Sequence, residues 1–221
     1  MDLKRLKLIE RLYETMESDL KFKFSGWLCI IFAVILIAAM FSKFIGLLKI
    51  IFMLFAFPFV FWQLKTFLNL KYNYAKLDLY ILALIVVEVG SLLCTMVLIA
   101  FIDYIKNYLL IINDITALLT VAKGIIFFTI AIKLYSIRFS KSICIVSAIL
   151  GIVYALYGLL SSLRILLVIQ RFESDIFLML SKIILFMPTV FLSMMLLLIG
   201  RMFLNRYIQG NSKSNEIIVN D

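Results

Sequence analysis

Six long apolar runs dominate this sequence and limit what it can fold into. A transmembrane helix needs about 20 consecutive apolar residues, because the hydrocarbon core of a bilayer is about 30 Å thick. A soluble core formed by 221 residues cannot cover a chain that is 65% hydrophobic. We therefore predict an all-α integral membrane protein whose six transmembrane helices form three antiparallel hairpins. The predicted spans are roughly 24–41, 45–64, 79–102, 109–134, 143–168 and 176–200.

The first two runs leave one alternative open. Little more than Ser42, Lys43 and Gly46 separates them, so the turn between them must be very tight. The first run covers only about 27 Å at 1.5 Å per residue, slightly less than the hydrocarbon core. A pair of helices that enters the bilayer and returns without crossing would fit the same residues, and it would end on the same side.

A charged segment precedes the first run. Its apolar residues are spaced three or four apart, and charged residues fill most of the remaining face, which predicts a cytoplasmic amphipathic helix over residues 1–24. Such a helix lies in the headgroup layer or packs on a partner. We expect a six-helix transmembrane domain over 25–202, and a polar, disordered cytoplasmic tail over 203–221. The apolar stripe of the first segment is Leu6, Ile9, Tyr13, Met16 and Leu20.

The distribution of basic residues predicts the orientation. With six spans, the N-terminal segment, the even-numbered links and the C-terminal tail share one side. That side holds fifteen of the 22 Lys and Arg residues, the opposite side holds six, and Lys123 lies between. Because cytoplasmic segments carry the excess of Lys and Arg, both termini are expected in the cytoplasm, with the protein in the plasma (inner) membrane.

Two charges lie deep inside apolar spans. Glu88 falls in the third span and Lys123 in the fourth, where an ionised group costs several kcal/mol unless it is paired or hydrated. Lys49 and Lys182, in contrast, lie near the outer ends of their spans and are expected to extend to the headgroups.

In each of these two spans, hydroxyl residues lie on the same helix face as the charged residue. In antiparallel helices joined by a short turn, residues at equal depth have position numbers with a constant total. The position numbers of Glu88 and Lys123 total 211, and so do those of two pairs of hydroxyl residues. This agreement predicts an in-register polar seam between the third and fourth spans. We favour an ion pair that locks this hairpin, with hydroxyls that hydrogen-bond between helices. The alternative is a polar cavity or ion path. The predicted pairs are Glu88 with Lys123, Ser91 with Thr120, and Thr95 with Thr116.

The fifth span carries a second pattern, of small residues spaced three or four apart. Small residues on one face let helices approach closely, so packing on a neighbouring helix is the favoured role for Ser147, Gly151, Gly158 and Ser161. Tyrosines lie among them. A pocket between the fifth and sixth spans is the alternative, with candidate residues Tyr154, Tyr157, Thr189 and Ser193.

Several functions are excluded by what the sequence lacks. There is no His, and the three cysteines are scattered through apolar spans, so neither a metal nor another cofactor is expected. No nucleophile elbow, zinc-protease motif or phosphate-binding glycine loop is present, so we do not expect an enzyme. The basic residues are spread among links rather than gathered in one strip, which argues against nucleic-acid binding.

Two classes of function remain. The favoured one is a membrane-embedded anchoring, sensing or signalling subunit in the lipid bilayer, which docks a cytosolic or membrane partner or forms a homo-oligomer. The alternative is a small permease or channel component with a polar path through Glu88 and Lys123. Scarce glycine and proline favour the first class, because many secondary transporters contain broken helices.

Overall fold

A computed structural model describes residues 3–100, 109–162, 183–184 and 186–205. Within these ranges the secondary structure is entirely helical, and six helices each contain a stretch long and apolar enough to cross a bilayer. The predicted all-helical architecture with six long apolar helices is therefore confirmed. The helices are α1 (Leu3–Ala38), α2 (Lys43–Tyr72), α3 (Asp78–Ala100), α4 (Leu109–Ser136), α5 (Lys141–Ser162) and α6 (Phe186–Asn205), with a 3-10 turn at Ala75–Leu77.

Helix α1 is longer than the sequence suggests. We expected an amphipathic helix over 1–24 and then a separate span, but α1 runs unbroken over 36 residues, about 54 Å at 1.5 Å per residue. No proline lies in it, and its first glycine is Gly26, so nothing ends the helix between the two segments. Its stretch Leu20–Ala38 is long and apolar enough to cross a bilayer. The side chains before Leu20 lie outside the described residues, so their amphipathic face stays a prediction.

Helices α1 and α2 run antiparallel after a turn at residues 39–42. The rings of Phe24 and Phe59 are 6.0 Å apart, and those of Phe32 and Phe52 are 5.9 Å apart. A higher number on α1 thus pairs with a lower number on α2, as a hairpin requires. The turn between the two helices is short, with only four residues between Ala38 and Lys43.

The links that follow α2 and α4 each turn through one left-handed residue. Asn73 has φ 48° and its N–H donates to the carbonyl of Asn69, which caps the last turn of α2. Arg138 has φ 53° in the link after α4, where the N–H of Phe139 donates to the carbonyl of Leu134. Both helices therefore end by satisfying carbonyls that would otherwise be unpaired.

One end of the bundle gathers aromatic rings from distant parts of the chain. The ring of Phe67 on α2 lies within 6.4 Å of the rings of Phe22, Phe139 and Phe203. Phe139 also lies 5.7 Å from Tyr72. This end of the bundle therefore contains Phe22 of α1, the links that follow α2 and α4, and Phe203 of α6. We call it the basic end, because the charged residues near it are mostly Lys and Arg. Those whose side chains the structure describes are Lys21, Lys23, Lys65, Lys71, Lys76, Asp78, Lys133, Arg138, Lys141 and Arg201.

Helices α4 and α5 approach each other most closely. A Cβ added to Gly124 would lie 2.5 Å from the backbone nitrogen of Ala155, and one added to Gly158 would lie 2.8 Å from the carbonyl oxygen of Ala117. Ser147 adds a hydrogen bond of 3.1 Å to the carbonyl of Phe127. Small side chains thus allow backbone contact along the whole pair. Gly26 on α1 and Gly200 on α6 make a similar approach.

Several expectations fall on parts of the chain outside the described residues. They concern the connections at 101–108 and 163–182, the start of the sixth span and the polar tail from 206 onward.

Candidate functional site

A cavity of about 280 Å³ lies in the interior of the helix bundle. Every one of the six helices contributes to its wall, from Leu36 on α1 to Leu192 on α6. Both charged and hydroxyl side chains line it, together with apolar ones. The lining residues are Leu36, Lys49, Ile50, Met53, Glu88, Ser91, Leu92, Thr95, Thr116, Thr120, Lys123, Tyr154, Tyr157, Pro188, Thr189 and Leu192.

An ion pair lies in the most buried part of this cavity. Nζ of Lys123 is 2.6 Å from Oε2 of Glu88, and their side chains are only 7% and 3% exposed. The same ammonium lies 3.4 Å from Oγ of Ser91 and 5.0 Å from the ring centre of Tyr154. Burial on this scale requires the two charges to neutralise each other, and α3 and α4 bring them together in the register that the sequence suggested.

A second contact sets the same register. Nζ of Lys133 lies 4.9 Å from the ring centre of Tyr80, about two to three helical turns nearer the basic end. The position numbers of both pairs have nearly the same total, as expected for antiparallel helices. The pairing of α3 with α4 thus places one lysine over a ring near the basic end and the other against Glu88.

The carboxylate of Glu88 is satisfied chiefly by Lys123. Its Oε2 is buried and lies 2.6 Å from Nζ of Lys123, and hydrogen bonds between two charged groups are the strong ones. The ion pair is therefore complete within the wall of the cavity.

The hydroxyl residues of the seam do not connect the two helices as we expected. Thr95, Thr116 and Thr120 each donate to a carbonyl four residues earlier on their own helix, at 2.8 Å. Ser91 donates to the carbonyl of Glu88 at 2.9 Å. Within the described ranges, the only hydrogen bond between the two stripes is that of Lys123 with Ser91. The favoured pattern of interhelical hydroxyl bonds is wrong, because local backbone carbonyls take the protons.

The tyrosine pocket and the polar seam form one cavity rather than two sites. Tyr154, Tyr157 and Thr189 line the same space as Glu88 and Lys123. Ser193 does not line it, since this side chain is 1% exposed and donates to the carbonyl of Thr189 at 2.8 Å. The sequence predicted both groups but not their convergence.

Packing of α5 on α4 holds Tyr154 in place. Gly151 and Gly158 lie on either side of it along the helix and touch the backbone of α4. This close approach stacks the Tyr154 ring on Phe127 with centroids 5.8 Å apart and planes 8° apart. Ser147 bonds to the same part of α4, whereas Ser161 is half-buried at the far end of α5. The small residues therefore position a cavity-lining ring.

Buried aromatic rings lie between the cavity and the basic end. Phe61 lies 4.4 Å from Phe57 and 6.1 Å from Phe127, centroid to centroid, and all three side chains are fully buried. Together with Tyr154 they form what we call the aromatic floor. At the other end of the cavity Thr95 is exposed, while Glu88 is 2% exposed. Accessibility thus falls from the α3 end near Thr95 to the ion pair.

Lys49 is the lining residue that the sequence assigned wrongly. We expected it to extend to the headgroups, but it lines the cavity together with Glu88 and Lys123. Its position six residues into α2 suggested the outer surface because it lies near the end of the apolar run. The shared pattern of a lysine followed by isoleucines at Lys49 and Lys123 was the one available signal.

The described residues contain no group of three or more His, Cys, Asp or Glu side chains that could hold a metal ion. Cys29 and Cys144 are buried and Cys94 is half-buried, all as free thiols. The chemistry of the cavity therefore comes from two ammonium groups, one carboxylate and several hydroxyls.

Fold and cavity together define a bundle of six membrane-length helices around a charged cavity. The chain matches no protein-family model, no curated protein and no solved structure.

Proposed function

We propose that this chain is a multi-pass membrane protein that binds a small solute in its central cavity, as a permease does. Large apolar side chains point outward from its helices, which suits a lipid environment. Examples at mid-helix are Phe55 at 69% exposure, Val86 at 69% and Leu118 at 65%. An aqueous surface with so many exposed apolar groups would aggregate.

The observation that carries this proposal is the convergence of all six helices on the charged cavity. An ion pair that only locked α3 to α4 would need neither Lys49 from α2 nor Tyr157 and Thr189 from α5 and α6. Intramembrane ionisable residues that face a cavity typically mark a solute or ion pathway. The volume of about 280 Å³ is close to the lower limit of small-molecule sites, roughly 300 Å³.

We infer that the cavity opens toward the outer side of the membrane. The basic end belongs in the cytoplasm by the distribution of Lys and Arg, and the aromatic floor lies between it and the cavity. Solute would enter past Thr95, reach Glu88 and Lys123, and leave only after Phe61 and Phe127 separate. Alternating access of this kind is general among transporters with a site at mid-membrane.

A variant that fills the cavity tests the proposal. Thr120→Trp places a large ring in the cavity, whereas Thr129→Trp, nine residues along the same helix, is a control because Thr129 does not line it. Purified protein in liposomes would be screened for uptake from a mixture of labelled small metabolites. We expect uptake with the wild type and with Thr129→Trp, and its loss with Thr120→Trp. Equal uptake by both variants would contradict a pathway through this cavity.

A second candidate function rests on the length of α1. Seventeen of its residues, Leu3 to Asp19, precede the stretch Leu20–Ala38 that is long and apolar enough to cross a bilayer; they would extend about 25 Å at 1.5 Å per residue. We propose as the alternative that this extension docks a cytosolic partner, which would make the chain a membrane-embedded anchoring or signalling subunit. Removal of residues 2–19 should then abolish co-purification of that partner while membrane insertion persists. Unchanged co-purification would exclude this role.

A further inference from the structure

We propose that the cavity selects a small organic anion and that Lys49 pairs with its acidic group. This inference deepens the proposed function and depends on it. The lining contains two lysines but a single carboxylate, so the described wall carries one excess positive charge. A partly buried cation without a counter-charge is costly, and an anionic solute would remove that cost.

Lys49, rather than Lys123, is the cation available to a solute. Lys123 is already 2.6 Å from Glu88 and is 7% exposed. Lys49 is half-buried, and among the residues that the structure describes it forms no ion pair or hydrogen bond. Its interaction with Glu88 is attractive but is opposed by Lys123. An arriving anion would therefore meet Lys49 before it met the neutral pair beneath.

The remaining lining defines the size and the body of this anion. Thr95, Thr116 and Thr120 have committed their protons to backbone carbonyls, so they cannot donate to an anion. The hydroxyls of Tyr154 and Tyr157 donate to no other described residue and supply the further donors. Apolar lining side chains fit a compact hydrocarbon or aromatic body. These are Leu36, Ile50, Met53, Leu92, Pro188 and Leu192.

A matched set of three probes tests the charge preference. Benzoate, benzamide and benzylamine share one ring and differ chiefly in charge. Each would be titrated into the purified protein in phosphatidylcholine nanodiscs, and binding would be followed by thermal stability and by calorimetry. We expect benzoate to bind at least tenfold more tightly than the neutral and cationic probes, since an ionic hydrogen bond is worth about tenfold or more.

Substitutions at position 49 locate the charge that is responsible. Lys49→Met should lower benzoate affinity about tenfold or more and leave benzamide unchanged, while Lys49→Arg should retain the preference. Lys76→Met is the matched control, because Lys76 is exposed in the link between α2 and α3 and does not line the cavity. The wild-type comparison of probes stands by itself if Lys49→Met does not fold.

Nanodiscs that contain phosphatidylglycerol distinguish a lipid headgroup from a soluble anion. Stabilisation by this lipid, lost in Lys49→Met and competed by benzoate, would support the anion site and assign it to lipid. Benzoate binding without any effect of the lipid would support a soluble anion. Equal binding of benzoate and benzamide would overturn the preference for an anion but leave solute binding intact. Failure of all three probes, together with unimpaired uptake by Thr120→Trp, would overturn both proposals.

Discussion

Gly124 on α4 and Gly151 on α5 lie back to back, and each occupies the space that a side chain on the other helix would need. A Cβ on Gly124 would come 2.6 Å from the carbonyl oxygen of Gly151, and a Cβ on Gly151 would come 2.8 Å from that of Gly124. Contacts this short cannot be relieved without moving a helix backbone. The pair therefore sets the separation of α4 and α5, and with it the position of Tyr154 beside Lys123.

The first prediction concerns this helix contact. Gly124→Ala should lower the free energy of unfolding by about 1–3 kcal/mol, because overpacking forces backbone shifts. Gly90→Ala is the control, since a Cβ there meets nothing within 4 Å and alanine is the better helix former by about 0.5–1 kcal/mol. Reversible unfolding of the purified protein in mixed detergent measures both. If Gly124→Ala is as stable as Gly90→Ala, the close approach is wrong.

The second prediction concerns the buried ion pair. Glu88→Gln should destabilise by about 3 kcal/mol, because it leaves Lys123 buried without a partner. Lys123→Met should cost less, because Lys49 remains near to interact with Glu88. The double variant Glu88→Gln/Lys123→Met should be more stable than Glu88→Gln alone. The same unfolding assay measures all three.

A more exposed ion pair serves as the control for these variants. Lys65 and Asp78 are 3.4 Å apart with side chains 19% and 29% exposed, so Lys65→Met should change stability by no more than about 1 kcal/mol. A double variant that loses as much stability as the two single variants combined would show that Glu88 and Lys123 are not coupled.

The third prediction concerns the register of α3 on α4. Cysteines introduced at Ser91 and Thr120 should be linked by a short bismaleimide, since both residues line the cavity and are 7% and 8% exposed. The native cysteines Cys29, Cys94 and Cys144 must first be replaced. Cysteines at Gly90 and Thr120 form the control pair, because Gly90 is about 100° away around the helix. Crosslinking of the control alone would show that α3 is rotated.

The fourth prediction concerns orientation in the membrane. In a chain without native cysteines, a cysteine introduced at Lys76 or Ser140 should react with a membrane-impermeant maleimide only from the cytoplasmic side. A cysteine at Phe41, which is 85% exposed beyond α1, should react only from the opposite side. One at Val86 should not react from either side, since lipid would cover it. If positions 41 and 76 are labelled from the same side, α1 and α2 do not both cross the membrane completely.

The lengths of the apolar runs determined the helical class from the sequence alone. Backbone groups without water must bond within a helix, so local composition suffices to indicate how many helices form and roughly where they end. Periodicity within α3 and α4 also predicted the partners Glu88 and Lys123, because two helices joined by a short link have few possible registers. The continuity of α1 through Phe24 is also local, because no proline or earlier glycine ends the helix there, but the change of polarity at that point suggested a boundary that helix propensity does not support.

Tertiary structure alone decided what the polar residues do. Lys49 belongs to the cavity because α2 packs beside α3, a relation between segments that hydropathy does not encode. The tyrosines of α5 reach the same space because Gly124 and Gly151 allow two backbones to touch, which no property of either helix by itself reveals. The hydroxyls bond within their own helices because a carbonyl one turn away is always within reach. Helices are a local property of this chain, whereas the charged cavity exists only through the packing of all six.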